Sequence, residues 1–221
     1  IGKSKKPILD GNIVAITGAG GVIGREIAKE FSKSGAEIIC IDINYEEAKK
    51  TSILCGENSI AINCDLTKRK DIEETFDLIV SNFGGLDIVI SNAGSAWEGN
   101  ISELKDDVLQ KSLEINLFSH QNIAKNAVKL FKAQDYLEED YENLLGGNLL
   151  FNISKQALNP GKGFGAYGIS KASLLALMKQ YSIEEGSHKI KSNGINADRI
   201  RSNLLNEKMI KSRSRSRGLT E

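Results

Sequence analysis

Side chains that bind metals or form disulfides are scarce in this sequence. The three cysteines, Cys40, Cys55 and Cys64, include no Cys-x-x-Cys pair, and the two histidines are His120 and His188. An odd number of cysteines without paired spacing is typical of reduced thiols in a cytosolic protein. We therefore expect a cytoplasmic location, no disulfide framework and no dedicated metal site.

The sequence also has no excess of one charge and no long apolar run. Its 29 basic and 29 acidic side chains balance, so there is no electrostatic basis for nucleic acid or an anionic membrane as the main partner. No apolar run approaches the roughly 20 residues that a membrane-spanning helix needs. The sequence therefore predicts a protein without a nucleic-acid partner and without a membrane segment.

The length of 221 residues suits a single well-buried core. Residues 1–7 form a basic start without an initiator methionine, which we interpret as a linker or a clipped start. We expect residues 8–221 to form one domain. Within it, the acidic segment 135–142 is interpreted as a solvated surface insertion.

Short apolar runs alternate with longer amphipathic stretches along the chain. The runs occupy residues 13–16, 38–41, 60–62, 88–90 and 149–153, with a weaker one at 193–196. Such β-branched runs without polar alternation are typical of strands buried on both faces. The stretch 22–34 has helical periodicity and precedes Gly35, a common residue after a helix ends. The alternation predicts an α/β fold, a Rossmann-type doubly wound parallel sheet between two helical layers (three-layer α/β/α).

A glycine-rich segment joins the first predicted strand to the first helix and reads Thr17-Gly18-Ala19-Gly20-Gly21-Val22-Ile23-Gly24. Glycine allows a tight turn and a close approach of the backbone to a pyrophosphate, and the following helix offers free N–H groups to the phosphates. A glycine cluster between a strand and a helix predicts dinucleotide binding. The candidate cofactor-binding residues in it are Gly18, Gly21, Val22, Ile23 and Gly24.

Asp42 ends the second predicted strand, 18 residues after Gly24. A carboxylate at this point can accept hydrogen bonds from the adenosine ribose hydroxyls, and it repels a 2′-phosphate. No lysine or arginine lies between Gly18 and Gly24 to attract such a phosphate. The pattern therefore predicts NAD rather than NADP as the cofactor. The alternative is that Asp42 only caps the next helix.

Tyr167 and Lys171 lie four residues apart in a segment with helical character. On a helix this spacing puts the phenol and the ammonium on one face. A tyrosine with its ordinary pKa of about 10 is a poor base at neutral pH. Because a neighbouring cation favours the phenolate, Lys171 is expected to lower the pKa of Tyr167. The pair predicts a tyrosine that acts as a general acid/base.

Taken in order, these motifs resemble the short-chain dehydrogenase/reductase family. The similarity extends from about residue 8 to residue 202 and adds further positions to the glycine loop and Asp42. These positions are Asp65-Leu66, Asn92-Ala93-Gly94, Asn116, Ser154 and Tyr167-x-x-x-Lys171. The resemblance implies an enzyme that transfers a hydride between NAD and a small alcohol or carbonyl substrate.

The resemblance also implies a role for each matching residue. Tyr167 exchanges a proton with the substrate oxygen, and Ser154 forms a hydrogen bond with that oxygen. Lys171 holds the nicotinamide ribose, and Asn116, within a long helix, holds a water that relays protons from Lys171. The alternatives are that Asn116 only bonds nearby backbone and that Ser154 is a strand-end turn residue. The implied cofactor contacts are Asp65 and Leu66 beside the adenine, and Asn92, Ala93 and Gly94 after the fourth strand.

Three features depart from the ordinary family pattern. Val22 stands where the loop has its middle glycine, and the spacing Gly18-x-x-Gly21-x-x-Gly24 is that of the extended branch. Residues 196–202 lack the usual Pro-Gly pair. Together with residues 155–157 and 159–161, they are similar to the dehydrogenase half of bifunctional aldolase/dehydrogenase proteins. The chain also stops before the family's last strand and helix, so we expect an incomplete domain.

Similarity to the bifunctional proteins implies an aldolase domain fused before this chain. It further implies a hydroxyaldehyde or a short sugar-derived alcohol as substrate. Trp97 and Phe164 are candidates for the wall of the substrate pocket. Because the family is usually dimeric or tetrameric, we expect a homo-oligomer.

Two other functions fit the same fold. One is a non-catalytic NAD-binding sensor, against which the joint presence of Ser154, Tyr167 and Lys171 argues. The other is an interaction protein that acts through the Ser/Arg tract at residues 211–217. The shortness of this tract and the balanced charge argue against it, and a solvated helix face is the simpler interpretation.

Overall fold

A computed structural model describes residues 7–135, 140–198 and 200. Its strands are β1 (Ile13–Thr17), β2 (Glu37–Asp42), β3 (Ser59–Asn63), β4 (Ile88–Ser91), β5 (Gly147–Asn152) and β6 (Ile190–Ile195). Its longer helices are α1 (Val22–Lys33), α2 (Tyr45–Cys55), α3 (Arg69–Phe83), α4 (Asp106–Leu113), α5 (Ser119–Gln134) and α6 (Gly165–Glu184). A π-helical turn, Glu114–Phe118, joins α4 to α5. Every predicted strand is present, and the weak one near the end begins three residues earlier than predicted.

The six strands are parallel and follow the order β3-β2-β1-β4-β5-β6. β1 is central, with Ile16 beside Cys40 of β2 on one side and Ile90 of β4 on the other. From β1 the chain proceeds outward through β2 and β3, then returns and proceeds the other way through β4 to β6. In such a sheet a ligand binds outside the carboxyl ends of the strands, where the order reverses.

Helices cover both faces of the sheet. On one face α1 and α2 pack against β1 and β2 through residues such as Ala28, Ala48 and Ile38. On the other face α3, α5 and α6 bury a larger cluster that includes Phe131 and Leu174. Fully burying a large apolar side chain contributes about 1.5–3 kcal/mol, so these clusters hold the strand ends in fixed positions. The predicted doubly wound, three-layer fold is confirmed.

The acidic segment after α5 differs from its prediction at one residue. Asp135 is buried rather than solvated. Its carboxylate accepts hydrogen bonds from the backbone N–H groups of Leu145, at 2.7 Å, and Gly146, at 3.0 Å. Asp135 thus stabilises the turn that leads into β5. Residues 136–139 lie outside the described ranges.

The predictions about the chain ends concern residues that the structure does not describe. They are the linker or clipped start over residues 1–6, the Ser/Arg tract at 211–217, and the absence of a last strand and helix after residue 200. Within the described ranges, no helix is long and apolar enough to cross a membrane.

Candidate active site

The carboxyl ends of the central strands border a cleft of about 580 Å³. Most of the predicted site residues line it, although they come from widely separated parts of the chain. They are Gly18, Gly21, Val22, Ile23, Gly24, Asp42, Asp65, Leu66, Asn92, Ala93, Gly94, Ser154, Phe164, Tyr167 and Lys171. Asn116 and Trp97 are not among the lining residues. The fold thus brings the predicted phosphate loop and the predicted catalytic pair to one cleft.

The glycine loop makes a close turn between β1 and α1. Gly18 has a φ of +66°, a left-handed conformation that favours glycine. Gly24 lies so close to the turn that a Cβ atom there would be 2.2 Å from the carbonyl oxygen of Gly18. The residue before α1, Gly21, provides no side-chain cap. The first N–H groups of α1 are therefore available to an anion.

Replacing Gly24 with alanine is expected to lower the free energy of unfolding. The added Cβ would also lie 2.8 Å from Ala19 Cα, and overpacking of this severity costs about 3 kcal/mol. The gain in helix propensity returns about 1 kcal/mol, which leaves a net loss of about 2 kcal/mol. A thermal melt followed by circular dichroism should show a decrease of roughly 4–8 °C.

Gly186→Ala is the matched control, because a Cβ at Gly186 has no neighbouring atom within 4 Å. Its melting temperature should stay near that of the wild type. A Gly24→Ala variant with the melting temperature of the wild type would contradict the close contact between position 24 and the carbonyl oxygen of Gly18.

Asp42 connects the end of β2 to the glycine loop. Its carboxylate accepts hydrogen bonds from the backbone N–H groups of Gly20 and Asn44, both at 2.9 Å. The N-cap of α2 is Asn44, whose side chain accepts from the N–H of Glu47. The capping role that was the alternative for Asp42 therefore belongs to Asn44.

The basic side chain nearest the loop in sequence is Arg25, and it is already paired. Its Nη2 atom lies 2.7 Å from Glu47 Oε2 and donates to the carbonyl oxygen of Gly20 at 3.1 Å. Its Nε atom donates to Thr51 Oγ1 at 3.1 Å. Arg25 thus holds the glycine loop through Gly20 and is paired with Glu47.

The loop after β4 is held by the ends of β1 and β5. Thr17 Oγ1 accepts hydrogen bonds from the N–H groups of Asn92, at 2.9 Å, and Ala93, at 3.1 Å. The side chain of Asn92 donates to the carbonyl oxygen of Thr17 at 3.0 Å and accepts from Asn152 Nδ2 at 2.8 Å. The segment 92–94 is therefore fixed from both neighbouring strands.

Asn116 lies in the π-helical turn and is fully buried. Its side chain accepts from the N–H of Ser95 at 3.0 Å and donates to the carbonyl oxygen of Ser95 at 2.8 Å. Turns of this kind occur often at functional sites. The side chain thus bonds nearby backbone, as the alternative interpretation stated, and its role in holding a water stays a prediction.

Tyr167 and Lys171 lie one turn apart on α6. Lys171 Nζ is 5.8 Å from the centre of the Tyr167 ring and donates to the carbonyl oxygen of Asn152 at 2.9 Å. Ser154, just after β5, accepts a hydrogen bond from the N–H of Gln156 at 3.3 Å. The three residues line the same part of the cleft, where β5 ends and α6 begins.

The pKa of Tyr167 corrects the sequence prediction. Burial raises it above its ordinary value, and a hydrogen bond with Ser154 opposes the increase. Burial also lowers the pKa of Lys171 to about 7, so this lysine carries only part of its charge at neutral pH. The expected decrease in the pKa of Tyr167 is therefore not found: desolvation of the phenol dominates, and the opposing contribution comes from Ser154 rather than from Lys171.

The model of the short chain dehydrogenase family matches residues 12–212. The chain belongs to this family. It is similar to an uncharacterized oxidoreductase of Thermotoga maritima, with 32% identity over 189 residues, which are 84% of this chain and 70% of the relative. It is also similar to 7alpha-hydroxysteroid dehydrogenase of Escherichia coli, with 30% identity over 190 residues, which are 85% of this chain and 70% of the relative.

The fold of this short chain dehydrogenase matches a crystal structure of 3-ketoacyl-(acyl-carrier-protein) reductase from Brucella melitensis, complexed with NADH. The TM-score is 0.83 with 23% identity, and the match covers 89% of this chain and 78% of that chain. As a member of its family, the protein is an oxidoreductase that acts on CH–OH groups and uses a nicotinamide cofactor. The family resemblance is confirmed, whereas the similarity to the bifunctional proteins stays a prediction.

Sequence reasoning missed one buried group of the dehydrogenase site, His120 on α5. Its Nδ1 atom lies 2.7 Å from Ser91 Oγ, and Nε2 has no hydrogen-bond partner among the described residues. Burial, and then the charge of Lys171, lower the pKa of His120 well below its ordinary value. This histidine is therefore a neutral neighbour of Lys171. In the sequence, the only indication that His120 belongs to the site was its position four residues after Asn116.

Proposed function

We propose that this chain is an NAD-dependent dehydrogenase or reductase in which Tyr167 is the general acid/base. The observation that carries the proposal is that Ser154, Tyr167 and Lys171 line one cleft together with the glycine loop. The substrate is a small alcohol or carbonyl compound, and we propose a hydroxyaldehyde or a sugar derivative. Phe164 lines the cleft and is retained as a wall residue, whereas Trp97 is half-buried outside the lining and stays a prediction.

The residues present fit a dinucleotide. Gly18 and Gly24 allow a turn so tight that a Cβ atom at either position would collide with neighbouring backbone, and the start of α1 offers N–H groups to the pyrophosphate. Asp65 and Leu66 line the cleft where the adenine would lie, and segment 92–94 would support the nicotinamide half. The bound cofactor supplies the hydride acceptor or donor. This protein's own residues supply position and a proton.

Tyr167 and Ser154 are the groups that would contact the substrate oxygen. Because burial raises the pKa of Tyr167, the phenol keeps its proton at neutral pH and can donate it to a carbonyl oxygen as negative charge develops there. The Ser154 hydroxyl provides a second donor to the same oxygen. In the opposite direction, Tyr167 must first lose its own proton, and its phenolate then takes the proton from the alcohol. Lys171 would hold the nicotinamide ribose beside them.

Asp42 supports NAD rather than NADP. Its carboxylate ends β2 beside the loop, where a 2′-phosphate would meet a negative charge. Arg25 is already engaged, because its guanidinium is paired with Glu47 at 2.7 Å and donates to the carbonyl oxygen of Gly20 and to Thr51. A cofactor with free ribose hydroxyls can instead donate hydrogen bonds to the carboxylate.

The expected result for Asp42→Ala is a loss of preference between the two cofactors. A ligand at 100 times its dissociation constant stabilises a protein by about 2.7 kcal/mol, which raises the melting temperature of a chain of this size by roughly 5–10 °C. The wild type should show this increase with NADH and little with NADPH. In the variant the two increases should become similar. Each is measured against the same variant without cofactor, since the substitution also removes a hydrogen bond to Gly20.

Asp77→Ala is the control, because Asp77 is an exposed carboxylate on α3, away from the cleft. It should keep the preference of the wild type. Equal stabilisation of the wild type by both cofactors would refute the proposed NAD preference, and no stabilisation by either would refute the dinucleotide site.

Three broader properties remain proposals. A cytoplasmic location is supported by the free thiols, since Cys40 and Cys64 are buried and Cys55 is half-buried, each unpaired in the described part of the chain. A homo-oligomer and a fused aldolase domain rest on the sequence resemblance alone.

A further inference from the structure

A second lysine lies at the catalytic end of the cleft. Lys155 directly follows Ser154, begins the 3-10 turn Lys155–Ala157, and lines the cleft. Unlike Lys171, it is not fully buried, since 30% of its side chain is exposed. Neither cofactor binding nor proton transfer, as proposed above, uses this charge.

Within the described ranges, Lys155 has one acidic partner, and that partner is replaceable. Its Nζ atom lies 3.3 Å from Asp198 Oδ2, in the loop after β6, and 61% of the Asp198 side chain is exposed. An ion pair this exposed stabilises a protein little. The backbone N–H of Lys155 also donates to the carbonyl oxygen of Ala197 at 3.0 Å. The loop is thus held in place by a backbone hydrogen bond as well as by the ion pair. An anion can therefore replace the Asp198 carboxylate beside Lys155 without displacing the loop.

The charges of the cleft are unevenly distributed. Among the described residues that line the cleft, the acidic ones away from Tyr167 are Asp42, which ends β2, and Asp65, which follows β3. Near Tyr167 the charged lining residues are Lys171, Lys155 and Asp198. If an anionic ligand replaces Asp198 beside Lys155, the partly desolvated ammonium of Lys155 keeps a charge-assisted hydrogen bond. A neutral ligand offers Lys155 no such gain.

We propose that Lys155 binds an anionic group of the substrate, a carboxylate or a phosphate, in exchange for Asp198. This inference rests on the proposed function, because it places the reacting carbon beside Ser154 and Tyr167. Ser154 and Lys155 are consecutive and both line the cleft, so one ligand in the cleft can contact both side chains. The substrate class is then a short hydroxy or oxo acid, or a short phosphorylated hydroxy or oxo compound. This narrows the sugar derivative proposed above to an anionic one and replaces the neutral hydroxyaldehyde.

The test measures binding and does not require turnover. Butyrate, its neutral isostere butyramide, and inorganic phosphate are titrated into the protein with and without NADH, and dissociation constants are measured by calorimetry. Butyrate should bind at least about tenfold more tightly than butyramide, because a charge-assisted hydrogen bond is at stake. Lys155→Met should abolish this difference, and Lys155→Arg should keep most of it. Comparison of butyrate with phosphate identifies the favoured anion.

Lys162→Met is the matched control, because Lys162 is exposed, close in sequence and absent from the cleft lining. It removes the same charge and should leave the butyrate preference intact. Equal binding of butyrate and butyramide by the wild type would overturn the proposal, as would a preference that survives in Lys155→Met. NADH binding is measured in the same series, so failure of the anion site is distinguished from failure of the cofactor site.

A substrate panel provides a second measurement. Butan-2-ol and 3-hydroxybutyrate differ by a methyl group in place of a carboxylate, and glycerol and glycerol 3-phosphate differ by the phosphate. Lys155→Met should raise KM for the anionic member of each pair at least about tenfold, with kcat and the neutral member little changed. A better rate with the neutral member of both pairs would refute the proposed substrate class.

Discussion

Replacing Tyr167 with phenylalanine is expected to reduce kcat by about 10²–10⁴-fold, the usual contribution of a general acid/base. The change removes one oxygen and keeps the ring that packs in the buried site. NADH binding should change by no more than about twofold, because the lost group acts on the substrate oxygen. The measurement is the rate of NADH formation or consumption with the substrate pairs above, together with the NADH dissociation constant.

Tyr181→Phe is the control on the same helix. Tyr181 is half-buried, and burial raises the pKa of its phenol to about 12, but it packs against Phe151 and does not line the cleft. Its variant should turn over like the wild type. A Tyr167→Phe variant with wild-type kcat would refute the proposed role of the phenol. A wild type that binds NADH but turns over no alcohol or carbonyl compound would instead favour the sensor.

Replacing Lys171 with methionine is expected to stabilise the protein, and the gain should depend on pH. Burial lowers the pKa of Lys171 from 10.5 to about 7. Between these two values the unfolded chain binds a proton that the folded protein does not, so the free energy of unfolding of the wild type rises with pH. Below about pH 7 both states carry the proton, and the full cost of burying the charge persists.

Lys171→Met removes this titration. Its stability advantage over the wild type should therefore be greatest near pH 6 and smaller by about 2–3 kcal/mol near pH 9, at 1.36 kcal/mol for each pKa unit. Loss of the hydrogen bond to the carbonyl oxygen of Asn152 changes the free energy of unfolding by the same amount at every pH. It therefore does not alter the pH dependence. Urea unfolding at four or five pH values measures the difference.

Lys179→Met is the comparison, because Lys179 is exposed on the same helix. The difference between this variant and the wild type should not vary with pH. A Lys171→Met advantage that is constant from pH 6 to pH 9 would show that the lysine has an ordinary pKa. In that case Lys171 would carry its full charge beside Tyr167.

The amino-acid sequence by itself determined the local parts of the site. The glycine loop was predictable because its conformation depends on residues a few positions apart, and Gly18 and Gly24 occupy the positions where a Cβ does not fit. Tyr167 and Lys171 were predictable because a helix puts residues four apart on one face. The strands were predictable from uninterrupted β-branched runs, since a parallel sheet is buried on both faces.

Only the tertiary structure decided what depends on burial and on contacts between distant residues. Asn116 bonds Ser95 across 21 residues, and Lys155 meets Asp198 across 43. Such contacts leave no periodic pattern in the chain. The predicted pKa of Tyr167 was wrong for the same reason: spacing in the chain reveals a neighbouring cation, but not the burial of the phenol and the ammonium. Desolvation disfavours both the phenolate of Tyr167 and the ammonium of Lys171. The burial of these two groups, and not their spacing in the sequence, therefore sets their protonation.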